Sequence, residues 1–126
     1  MMGLLRKLSF AMLFLAGTAS HALAIDPKAP DSCATGPVEK TYGGTPWLVV
    51  SCSDGKSLVF VAKEGSRAAP FEFDLTYAND GYDLTGHGDG DRAATDAAYT
   101  ELQKIKAADI LALIKATQAA KSTKLH

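Results

Sequence analysis

The chain has 126 residues, 47% of them hydrophobic, with 13 basic and 14 acidic side chains and a net charge of −1. A chain this short leaves no room for a second domain. Its lack of a basic surplus gives no reason to expect nucleic acid or anionic lipid as a partner.

The first residues have the layout of a secretory signal. Arg6 and Lys7 precede a nearly continuous apolar run from Leu8 to Ala19, and Ala22-Leu23-Ala24 forms a small-x-small site, with Ser20-His21-Ala22 as second choice. Residues 1–24 are therefore expected to be cleaved, leaving an exported chain that starts at Ile25 and is periplasmic or secreted. The apolar run is shorter than the about 20 residues a spanning helix needs, so no membrane insertion is expected after cleavage. Cleavage removes Arg6 and Lys7 and no acidic residue, which takes the net charge from −1 to −3.

Two cysteines remain, Cys33 and Cys52. In an oxidising compartment they are expected to pair as a structural disulfide, since their spacing is not the C-x-x-C of a redox pair.

Residues 25–37 (IDPKAPDSCATGP) contain three prolines and no hydrophobic period, which predicts an extended arm. A single domain over 38–121 and a frayed tail over 122–126 complete the expected layout. Val38 to Tyr42 predicts a short strand before a Gly43-Gly44-Thr45-Pro46 turn. Trp47 to Cys52 and Ser57 to Ala62 are apolar on both faces, with Asp54-Gly55 between them as a hairpin turn. In Phe71 to Ala78, Phe71, Phe73, Leu75 and Tyr77 alternate with Glu72, Asp74 and Thr76, a strand wet on one side. Asn79-Asp80-Gly81 then turns the chain into Tyr82 to Thr85.

From Arg92 onward there is no proline or glycine. The apolar set Ala94, Ala98, Leu102 and Ile105 lies nearly half a turn out of phase with Ile110, Leu111, Leu113 and Ile114, so two helices are expected, with a break near Lys106 to Ala108 and Asp109 in the first turn of the second. The predicted fold is α+β: an antiparallel four- to five-stranded meander followed by two C-terminal helices packed on one face.

The densest chemistry lies in Thr85 to Asp91, TGHGDGD. A dinucleotide fingerprint would need glycine where Asp91 stands, and no Gly-Lys-Ser/Thr follows, which excludes both common phosphate loops. No cofactor motif is present elsewhere. Asp83, His87, Asp89 and Asp91 are the candidate ligands for a divalent cation, but the EF-hand spacing fails by one residue at Glu101. The simpler expectation is a turn from sheet to helix, with Asp89 or Asp91 as helix cap. His87 has too few partners for a zinc site, and as a general base it would have only Thr85 or Ser66 to activate. Glu72, Asp74 and Asp83 are expected to lie on a solvated face rather than to act as a glycosidase pair. Trp47 is a candidate interface anchor, against a more common core role.

The run SCSDGKSLVFVA, 12 of the 126 residues, resembles the opening of the periplasmic C-type lysozyme inhibitors, in which a cysteine, an Asp-Gly turn and an apolar strand recur. Those inhibitors carry a Ser-Gly-x-x-Tyr recognition loop and stay all-β, whereas here Thr85-Gly86-His87-Gly88 and helices follow. The resemblance implies an exported, protein-binding module. With no nucleophile and base pair and no complete ligand set, the expected function is binding of another envelope protein, without catalysis. The rival expectation is a small hydrolase or divalent-cation protein built on His87, Asp89 and Asp91.

Overall fold

The computed structural model describes residues 32–124. The expected signal 1–24, the arm as far as residue 31, and residues 125–126 with His126 lie outside them. Five strands run in chain order as one antiparallel sheet: β1 (Cys33–Tyr42), β2 (Thr45–Cys52), β3 (Leu58–Ala62), β4 (Phe71–Ala78) and β5 (Gly81–Gly88). Two helices, α1 (Arg92–Leu102) and α2 (Ala107–Lys124), complete the α+β fold. The meander and the paired helices are those expected, with the larger of the two strand counts.

Turn chemistry sets the meander. Gly43 and Gly44 have φ of 60° and 80°, and Asn79 and Asp80 have φ of 55° and 63°. Left-handed geometry at both central positions is what a two-residue hairpin needs, and Gly, Asn and Asp are the residues that tolerate it. Both turns are tighter than the sequence reading has them. Thr45 and Pro46 already belong to β2, and Gly81 to β5, where it pairs with Ala78. Between β2 and β3, Gly55 takes φ of 70°. There Asp54 accepts hydrogen bonds from the Lys56 and Ser57 amides and from the Ser57 hydroxyl.

β1 starts earlier than composition suggests. Cys33 to Pro37, read as part of the arm, pair with the end of β2 through two register shifts. An edge strand with bulges accommodates proline more readily than the interior of a central strand does, and the one proline of β2, Pro46, sits beside the turn at that strand's start. The disulfide Cys33–Cys52 closes this corner.

One face of the sheet carries Trp47, Val49, Leu58, Phe60, Phe73 and Leu75, all buried against Ala94, Ala98 and Leu102 of α1 and Ile110, Leu113 and Ile114 of α2. Trp47 is 0% exposed. Its indole N–H donates to Thr45 Oγ1 at 3.0 Å and to the Tyr42 carbonyl at 3.2 Å, and its ring packs on Phe73. Of the two roles read for Trp47, the more common core role is the one the fold gives it, and its large area is spent on the core rather than on an interface.

The helical stretch breaks as the phase change requires, but at residues 103–106, slightly before the expected Lys106 to Ala108, since Ala107 and Ala108 already belong to α2. The Lys106 amide donates to Asp109 Oδ2, so Asp109 stands in the first turn of α2 and reaches back over its start. Leu111 belongs to the apolar set only by composition; it is 52% exposed. The backbone of α2 is helical to Lys124.

Candidate functional site: the uncovered sheet face

Strand alternation gives the sheet a second face, pointing away from α1 and α2. Register puts two rows across it. One runs Glu39, Leu48, Val61, Glu72, His87 through all five strands; the next runs Val50, Val59, Asp74, Thr85. The β2–β3 half is thus aliphatic and the β4–β5 half is polar and acidic. Among the described residues no helix or strand covers this face. The two-sided apolarity of β2 and β3 therefore reflects their position in the middle of the sheet, and Val61 is left 38% exposed.

Two shallow depressions flank Glu72. One, of about 500 Å³, lies between the disulfide, Val50, Val59 and Asp74; the other, of about 420 Å³, lies between Val61, Pro70, His87 and Asp89. On the ridge between them, ligand atoms of Glu72, Asp74 and His87 all come within 4.8 Å of one another. His87 Nε2 stands 3.8 Å from Glu72 Oε2. The carboxyl of Glu72 is held above its ordinary range by a hydrogen bond with Asp74, then by partial burial and by the charge of Asp74, with His87 acting in the opposite direction.

Most other carboxylates in the described residues already have a structural role. Glu39 pairs with Lys63 at 2.9 Å. Asp54 is committed to its turn, and Glu101 accepts from the Gly43 amide. Asp91 is the N-cap of α1: its Oδ2 accepts from the Ala94 amide at 3.2 Å and from Arg67 at 2.7 Å. By contrast, neither Glu72 nor Asp74 is salt-bridged to a lysine or arginine among the described residues.

The structure therefore regroups the candidates read from the sequence. Thr85, Gly86, His87 and Gly88 are strand, and only Asp89 and Gly90 remain as the corner before Asp91. His87 joins Glu72 and Asp74 across the hairpin rather than Asp89 and Asp91. Asp83 stands opposite Thr76, farther along the same face. Gly90 is needed at the corner because a Cβ there would collide with the carbonyl of Ala68. The Ser66 hydroxyl is buried and has no hydrogen-bond partner among the described residues.

A third opening, of about 590 Å³, lies between the end of β1 and the helices and is lined by Lys40, Tyr42, Glu101, Lys104 and Asp109. Its phenol, Tyr42, is pushed up to about 12 by burial and then by the charges of Asp109 and Glu101. No helix among the described residues is long and apolar enough to cross a membrane. Comparison with known protein families, with curated proteins and with solved structures finds no match to this chain.

Proposed function

We propose that the protein is exported and works as a non-enzymatic binding module that docks another envelope protein on the uncovered face of its sheet. The observation that carries this reading is the aliphatic patch of Leu48, Val50, Val59 and Val61, which lies opposite the helical layer and is flanked by acidic groups. An apolar strip rimmed by polar side chains is the composition of a protein-docking surface. Export is supported by the charged, apolar and small-x-small pattern of the first 24 residues. A disulfide at Cys33–Cys52 suits the same oxidising compartment.

The test is a photo-crosslinking residue at position 61 in the expressing cell. The expected result is one dominant adduct with an envelope protein, lost when Val59 is replaced by Asp while the fold is retained. Crosslinking no stronger than from an exposed helical control position, Leu111, would overturn the reading. N-terminal sequencing of the exported product is expected to begin at Ile25.

A further inference from the structure

We propose that Glu72, Asp74 and His87 form a binding site for one divalent cation of the zinc class. The inference does not depend on whether the same face docks a protein.

The geometry comes from the hairpin. Glu72 and His87 are direct cross-strand partners, and Asp74 is the next residue on the same face of β4. Cross-strand neighbours and i, i+2 neighbours are the two closest side-chain relations a sheet offers, so three donors are brought together by backbone pairing alone. A zinc-class ion held at about 2.0–2.2 Å keeps its ligands about 3–3.5 Å apart. Donor atoms already within 4.8 Å of one another reach that spacing by side-chain rotation, without movement of the strands.

The donor set selects the kind of cation. One imidazole and two carboxylates suit zinc and its borderline neighbours, whereas calcium and magnesium favour all-oxygen shells with more ligands. Placement on an open face leaves further coordination positions for water or for a group of an incoming partner. The adjoining carboxylates lack a lysine or arginine partner among the described residues. A cation would supply the positive charge that the fold supplies at Glu39 and Asp91.

Isothermal titration of the purified, oxidised protein with zinc chloride is expected to give one ion per chain. Calcium chloride is expected to bind at least tenfold more weakly. His87→Ala and Glu72→Gln are each expected to weaken zinc binding at least tenfold, while Asp89→Asn leaves it unchanged. On the unsubstituted protein, zinc is expected to shift the ring-nitrogen resonances of His87, a measurement that does not rely on any variant folding. The proposal is overturned by the absence of zinc binding, by binding that survives both His87→Ala and Glu72→Gln, by loss in Asp89→Asn or His126→Ala instead, or by His87 resonances that stay in place.

Discussion

Ser51 Oγ and Thr117 Oγ1 lie 2.7 Å apart in the buried layer between β2 and α2, joining residues 66 positions apart in the chain. Thr117 Oγ1 is also 2.7 Å from the Ile114 carbonyl, to which only its own proton can be given. Ser51 must then be the donor in the pair. Thr117→Val strands that donor in a dry layer and is expected to cost about 1–3 kcal/mol, whereas Ser51→Ala costs about 1 kcal/mol. In the double variant both hydroxyls are gone and nothing is left unpaired. Chemical denaturation of the four proteins is expected to give a double-variant loss smaller than the sum of the singles; simple additivity would show that the two hydroxyls are not coupled.

Gly43 and Gly44 share left-handed backbone geometry but differ in what surrounds them. A Cβ at Gly43 would run into the backbone of Ala97 and Ala98 in α1, while one at Gly44 meets open space. Gly44→Ala is therefore expected to cost about 1 kcal/mol, the usual penalty for alanine at positive φ. Gly43→Ala should cost clearly more, because α1 must also move and the bond from the Gly43 amide to Glu101 is disturbed. Equal melting temperatures for the two variants would contradict the contact between this hairpin and α1.

The hairpin at Asn79 and Asp80 shows how far the sequence was legible. The alternation of Phe71, Phe73 and Leu75 with Glu72 and Asp74 already separates the core face from the outer one. The three-residue turn read from Asn79-Asp80-Gly81 pairs Ala78 with Tyr82, which would set Gly88 opposite Glu72. With the two-residue turn, Ala78 pairs with Gly81 and His87 faces Glu72 instead. A slip of one residue changes every cross-strand partner, so a small error in turn length, together with a return strand read as ending at Thr85 rather than Gly88, hid the cluster. The same tightness of pairing explains Cys33 to Pro37, where bulges let a proline-containing segment act as an edge strand. What composition could show was a cap at Asp89 or Asp91, because an acidic residue before an alanine-rich run has one common use, and the structure gives that role to Asp91.

That cap yields its own expectation. Asp91→Ala removes the acceptor for the Ala94 amide and the partner of Arg67. The loss of the cap should cost about 1 kcal/mol, with little added by the exposed ion pair. Asp91→Asn keeps a capping oxygen and should recover most of the stability. Thermal unfolding of the two variants checks this: if both lose the same amount, the charge pairing with Arg67 outweighs the cap.

Reduction of Cys33–Cys52 frees a loop spanning 19 positions. On the chain-entropy estimate this removes about 3 kcal/mol, and it acts first on the irregular start of β1. Hydrogen exchange of the reduced protein is expected to accelerate in Cys33 to Gly36 before it does in Val49 or Phe60. Uniform acceleration through the sheet would mean that the bridge stabilises the whole domain as one cooperative unit.

Tyr42 gives the fold an alkaline limit. Burial and the nearby charges of Asp109 and Glu101 disfavour its phenolate, raising the folded-state value from 10.0 to about 12. For an acid whose value is raised on folding, the neutral form is the one the folded state favours. The stabilisation is therefore fully present below pH 10 and is lost as the pH rises from there through 12. Lysine deprotonation also weakens the protein in this range, so the difference between wild type and Tyr42→Phe is the informative quantity. That difference is expected to be flat up to about pH 9 and to shrink above 10, as the phenolate cost grows in the wild type alone. Asp109→Asn, which keeps a capping oxygen at the start of α2, should lower the Tyr42 titration seen in the ultraviolet spectrum. A phenol that titrates at its ordinary value in the folded protein, or one unmoved by Asp109→Asn, would contradict its placement between burial and the two carboxylates.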